Sequence, residues 1–103
     1  MSNFFAFAPI VTRVAPTTTT AVDVFDGAII RIWGFTVSNI TAGTVTATVR
    51  TNETSPTTIW TATILANQTI VVPISFIADK GLEVVDGTGS ALSFTFMHSQ
   101  VGS

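Results

Sequence analysis

Thr44-Val45-Thr46-Ala47-Thr48-Val49-Arg50 alternates without a break. Val45, Ala47 and Val49 share one face of an extended chain and the threonines the other, because successive strand side chains point to opposite sides. Such a period of two reads as a half-buried β-strand. Leu92-Ser93-Phe94-Thr95-Phe96 repeats it, with Leu92, Phe94 and Phe96 together. No window carries an apolar stripe at i, i+3, i+4 and i+7 over helical length. Roughly a fifth of the chain is threonine, and with Val and Ile it makes a strongly β-branched composition suited to pleated surfaces.

Turn signals separate the alternating runs: Asp26-Gly27, Ala42-Gly43, Asn52-Glu53-Thr54-Ser55-Pro56, Asp79-Lys80-Gly81 and Asp86-Gly87-Thr88-Gly89. Each offers a residue that tolerates positive φ or a proline that presets a turn. Strands are predicted near 9–14, 20–25, 29–38, 44–51, 57–65, 68–75 and 91–98, with a shorter one near 82–86. Seven to eight short strands at this spacing predict an all-β, antiparallel β-sandwich, jelly-roll-like or Ig-like. A chain of 103 residues has the size of one domain. It divides into an apolar N-terminal arm, 1–8, and a single sandwich, 9–103. Val45, Val49, Ile64, Phe94 and Phe96 are expected in its core, and no helix longer than about two turns is expected.

Two strands carry more than alternation. Ile29-Ile30-Arg31-Ile32-Trp33-Gly34-Phe35-Thr36-Val37 reads as apolar on both faces apart from Arg31. Trp33, Phe35 and Val37 fall on one side, Ile30 and Ile32 on the other. That suits a central strand covered twice, or one whose outer face meets a neighbouring subunit. Val71-Val72-Pro73 contains a residue without a backbone N–H, which predicts an edge strand or a bulge.

Composition speaks to partners. Apolar residues make up 47% and charged residues only 10%, where about a quarter is usual. Part of the surface is therefore expected to be buried against another protein. Net charge is −2, and Arg13, Arg31, Arg50 and Lys80 stand singly. Neither nucleic acid nor a polybasic membrane contact is expected, since both need clustered cations. The longest apolar run, around Ile70–Ala78, is too short to span a bilayer. Met1–Phe7 lacks the basic start of a signal peptide, and there is no cysteine. Synthesis in a cytoplasm follows as the expectation, with later exposure on a particle left open.

Catalytic chemistry finds little material. His98 is the single histidine and has no partner motif, so it reads as a solvated or hydrogen-bonded side chain. No set of His, Cys and carboxylates suits zinc, and Asp23, Asp26 and Gly27 lack the alternating carboxylates of a calcium loop. No cofactor is expected. Dimeric aspartic proteases are β-rich chains of similar length built around Asp-Thr/Ser-Gly. Asp26-Gly27-Ala28 and Asp86-Gly87-Thr88-Gly89 both lack the hydroxyl between Asp and Gly. The chain reads as no enzyme. Trp33 and Trp60 could line a sugar platform, Trp60 being the better candidate for exposure, although core tryptophans are commoner. Asn39-Ile40-Thr41, Asn52-Glu53-Thr54 and Asn67-Gln68-Thr69 match the glycosylation pattern but read as turn-forming asparagines.

Phe4, Phe5 and Phe7 stand apart in the first eight residues. They suit a first strand feeding its own core, an arm docking on a neighbour, or a disordered end. Phe4 and Phe5 alternate faces in a strand, so one of them seeks cover away from the protomer's core.

From Trp60 onward the cadence is Leu65-Ala66-Asn67-Gln68-Thr69, Pro73, Phe76-Ile77-Ala78-Asp79-Lys80-Gly81-Leu82, Gly87-Thr88-Gly89, then Leu92 to His98-Ser99. It resembles small β-sandwich structural proteins of tailed bacteriophages, over Ile29 to Ser99, in its strand cadence and its Phe-x-Ala-Asp-x-Gly-Leu turn. The resemblance implies a capsid decoration or cement protein on the virion surface, a homo-oligomer (typically a trimer) seated on the major capsid protein, or else a small tail or receptor-binding component. It carries no catalytic residues. Phe4, Phe5, Phe7, Trp33, Phe35 and Trp60 are the expected contacts with other subunits or the capsid. A carbohydrate-binding module is the alternative from a different class.

Overall fold

The computed structural model describes residues 10–25 and 28–102, and among them every regular element is a strand. In chain order these are β1 (Ile10–Val14), β2 (Val22–Val24), β3 (Ile29–Asn39), β4 (Val45–Thr51), β5 (Thr58–Ile64), β6 (Thr69–Val72), β7 (Phe76–Ala78), β8 (Leu82–Asp86) and β9 (Leu92–Gly102). They form two antiparallel sheets. Sheet A runs β1-β9-β3-β6, with β7 also on β3, and sheet B runs β2-β8-β4-β5. β6 and β7 pair with successive stretches of β3, Phe35–Ser38 and Ile30–Ile32, so they are one edge strand interrupted around Pro73. Counted that way, eight strands are shared between two four-stranded sheets in the order of a jelly roll, with only β4 and β5 following each other in one sheet, which resolves the choice against an Ig-like topology.

The expected strands are all present, and the edge position of Pro73 is as its missing N–H requires. β7 was not expected, and β9 runs to Gly102, beyond the predicted end at 98. The N-terminal arm with Phe4, Phe5 and Phe7, and the Asp26-Gly27 turn, lie outside the described residues.

The two inner faces make one core. Val45, Ala47, Val49, Ile64, Leu82 and Val84 of sheet B meet Ile30, Ile32, Phe35, Val37, Phe94 and Phe96 of sheet A, all buried. Phe96 lies at its centre, 5.3 Å from the Phe35 ring and 6.5 Å from Phe94. These offset and tilted pairs are the arrangements that aromatic quadrupoles favour.

β3 does not have two apolar faces. Its register against β9 shifts between Ile32, opposite His98, and Gly34, opposite Met97, which leaves Trp33 as an extra residue. Such a bulge resets the alternation. Ile30, Ile32, Phe35, Val37 and Asn39 all turn inward, while Arg31, Trp33, Thr36 and Ser38 turn outward. Gly34 is the residue that permits this beside the interrupted edge: a Cβ there would lie 3.2 Å from the Val72 carbonyl oxygen.

Asn39 ties the sheets together at the end of β3. Its amide Nδ2 donates to the carbonyls of Gly43, Ile64 and Leu65, and its Oδ1 accepts from the N–H and hydroxyl of Thr41. Asn67 sits in the left-handed region with φ 55°. Both are turn-forming asparagines, and the side chain of Asn39 is fully engaged in the interior.

Candidate interaction surface

The outward residues of sheet A follow from its register. Val11 opposes Met97, Arg13 opposes Thr95, Thr36 opposes Val71, and Arg31 opposes both Ser99 and Ile77. Val11, Trp33, Val71, Ile77 and Met97 are exposed on this one face, and Val101, at a second register shift near the end of β9, is exposed as well. The bulge pushes Trp33 out to 42% exposure. Its indole Nε1 donates to Ser99 Oγ at 3.2 Å, and the Arg31 guanidinium lies 5.2 Å from the ring centre. A hydrogen bond and a cation–π contact thus fix the ring without burying it. Single exposed apolar residues are ordinary, but five on one sheet face make it the candidate contact surface.

Charge is divided between the sheets. The strands of sheet A contain Arg13 and Arg31 and no Asp or Glu. Asp23, Glu83 and Asp86 belong to sheet B, and Glu53 and Asp79 to the loops. The whole chain carries −2 and these strands +2, so the rest carries −4. Arg50 pairs with Glu83 at 2.8 Å and Lys80 with Glu53 at 3.4 Å. Arg13 and Arg31 instead donate to the hydroxyls of Ser93 and Ser75. Two cations without a carboxylate among the described residues therefore flank the apolar band.

The expected contact residues are sorted by this geometry. Trp33 is on the exposed face. Phe35 is not: at 1% exposure it packs against Phe96 and Trp60, because the bulge at Trp33 turned it inward. Trp60 is half-buried at the rim of the core, edge-on to Phe35 at 5.3 Å, so it is the less exposed of the two tryptophans, contrary to the expectation. It faces inward because its register partner is Val49. Val11, Val71, Ile77, Met97 and Val101 were missed. Val11 and Met97 alternate correctly within their strands, but only the pairing of β1 with β9 brings them together.

Two groups with catalytic possibilities prove to be structural. Asp86 is fully buried, and its carboxylate accepts four backbone N–H bonds: Thr88 and Gly89 on Oδ1, Ala91 and Leu92 on Oδ2. Burial alone would raise its pKa, but these donors outweigh it and hold the carboxyl below the usual Asp range. The cage leaves no oxygen for a substrate. Gly87 completes the turn, since its N–H reaches the Thr46 carbonyl and a Cβ there would lie 2.8 Å from that oxygen. His98 is buried beside the Phe25 ring, with Nε2 2.8 Å from Thr12 Oγ1 and Nδ1 without a partner. The cheaper tautomer carries the proton on Nε2 and leaves Nδ1 a bare acceptor. Desolvation lowers its pKa. Among the described residues no group of three His or carboxylate side chains converges to hold a metal.

No protein-family model and no curated protein matches the sequence. Solved structures similar in fold include Bacillus endospore appendages, described as a family of disulfide-linked pili, at 16% identity and TM-score 0.47, covering 89% of this chain and 85% of that one. A structure of PirA matches at 12% identity and TM-score 0.42, covering 86% of this chain and 83% of its own. A CBM4 structure matches at 11% identity and TM-score 0.36, covering 96% and 82%.

Proposed function

We propose that this protein is a structural subunit, a capsid decoration or cement protein of a tailed-phage particle, that works by burying the outer face of sheet A against neighbouring protein. The observation that supports this reading is the exposed apolar band around Trp33, held rigid and flanked by Arg13 and Arg31 with no acidic residue in the strands beneath. A partner with an apolar centre and carboxylates at its rim complements it. Full burial is worth about 1.5–3 kcal/mol for a large apolar side chain, and covering the exposed parts of Val11, Trp33 and Met97 contributes a share of that toward such a contact. Repeated across the joints of a shell, that contact opposes their separation. The chemistry of a sugar platform is less well served, because the Arg31 guanidinium lies over the Trp33 ring.

Mass spectrometry of purified virions is expected to find this chain at a fixed copy number relative to the major capsid protein. Trp33→Glu, which replaces an exposed side chain, is expected to stay folded and to lose at least tenfold in occupancy on particles. Absence of the chain from particles, or full occupancy by the variant, overturns the reading.

A further inference from the structure

A jelly roll has four sheet edges, and three of them here are guarded. β2 has only three residues and contains Asp23. The β6–β7 edge is interrupted around Pro73. β1 has five residues and displays Arg13. Shortness, charge and proline are the devices by which edge strands avoid pairing with another chain. β5 carries neither charge nor proline, and its one protective device is a bulge at its start. Thr58-Ile59-Trp60-Thr61-Ala62-Thr63-Ile64 is seven residues long, without charge, glycine or proline. It pairs with β4 on one side, and among the described residues no strand pairs with the other. Its single irregularity is at the start, where Ile59 is the extra residue opposite Val49 and Arg50. Trp60–Ile64 beyond it is regular.

We infer that the outer edge of β5 is a strand-pairing site for a second copy of this chain, joined antiparallel about a two-fold axis at Ala62. Centring on Ala62 places the regular stretch Trp60–Ile64 against itself and leaves the bulge outside. An isologous contact requires a self-complementary edge, and this one is. On the outer face Thr61 comes opposite the partner's Thr63. Within the protomer Thr46 opposes Thr63 and Thr48 opposes Thr61, with the Thr48 and Thr61 hydroxyls 3.2 Å apart. Pairing therefore extends two threonine rows across four strands, a favourable kind of cross-strand neighbour. On the inner face Trp60 comes opposite the partner's Ile64 and completes the cover that its rim position leaves unfinished. Sheet B becomes continuous over eight strands, and the unpaired backbone groups of both edges are satisfied together. The product is a dimer or an even-numbered assembly, in place of the trimer that the resemblance implies. The inference goes beyond the proposed function and does not use the outer face of sheet A, so either can fail without the other.

Sedimentation velocity of the purified protein is expected to show a dimer. Thr61→Lys/Thr63→Lys sets lysine against lysine across the axis, and Thr61→Glu/Thr63→Glu sets glutamate against glutamate. Both pairs of positions are exposed, so each variant should keep the wild-type circular dichroism and sediment as a monomer. An equimolar mixture of the two should restore a heterodimer. Thr46→Lys, one strand inward on the same face, should remain a dimer. In the wild type, amide exchange within Trp60–Ile64 should slow as concentration rises. A wild-type monomer across a hundredfold dilution overturns the inference, and so does a dimer that survives in both charged variants unmixed.

Discussion

Asp86 and His98 are both buried ionisable side chains, and their environments push stability in one direction on acidification. The Asp86 carboxyl is held below its ordinary value by four backbone donors. Its contribution is complete above the unfolded pKa, near 3.9, and is lost as pH falls through the lower folded value. His98 is lowered by desolvation from an ordinary 6.5. Below about 6.5 the unfolded chain takes up a proton that the folded chain resists, so stability falls from there toward the folded pKa. Unfolding free energy measured against pH should therefore decline in two windows, one beginning near 6.5 and one below 4. His98→Gln, which can keep a donor on Thr12, should flatten the upper window. Asp86→Asn should remove the lower one and cost about 2–4 kcal/mol at neutral pH, because its amide confronts two backbone donors. A pH profile of His98→Gln identical to wild type would refute the assignment. Asp86-Gly87 was legible as a turn. That its carboxylate faces the interior was not, since the donors it gathers reach six residues on to Leu92 and exist only once β9 has paired.

The bulge at Trp33 explains most of what sequence reading missed at the level of elements. Strand positions and the alternation of β4 and β9 were legible because side-chain period is a local property. The register of β3 against β9 is not, and one extra residue moved Phe35 and Val37 from the expected contact face to the core. The same residue leaves Trp33 outside. Pro73 was a clear local signal of an edge, but the resumption of pairing at β7 depends on β3 being long enough to serve both segments. An extra residue has a distinctive mutational signature. Deleting Trp33 should leave Ile30, Ile32, Phe35 and Val37 facing inward, so the domain should still fold, with a modest loss from the missing Ser99 and Arg31 contacts. Deleting Thr36, three positions on in the same strand, should turn Val37 and Asn39 outward and abolish folding, because a one-residue slip reverses every following side chain. Thermal melts of the two deletions separate these outcomes, and equal damage from both would show that Trp33 is an integral ladder residue.

At the scale of the molecule, low charge and surplus apolar surface have a common consequence. A domain with 10% charged residues has few charges to keep its copies apart, and both the outer face of sheet A and the edge of β5 offer places to associate. The shortage of charge was legible from composition, whereas the surfaces that answer it required the sheet order. Association favours the folded form by mass action, since the unfolded chain presents neither surface. For a dimer that unfolds as it dissociates, a hundredfold rise in concentration adds about 2.7 kcal/mol to each dimer. With an unfolding entropy of roughly 2.1 cal/mol/K per residue over both chains, the midpoint should rise by about 6 °C. Thr61→Lys/Thr63→Lys should reduce that rise to nothing if the β5 edge is the contact that matters in dilute solution. Trp33→Glu should reduce it only if the sheet A face also joins like copies. A wild-type midpoint that stays fixed over the hundredfold range would mean that the folded domain is stable alone and that its spare surface is reserved for a different protein.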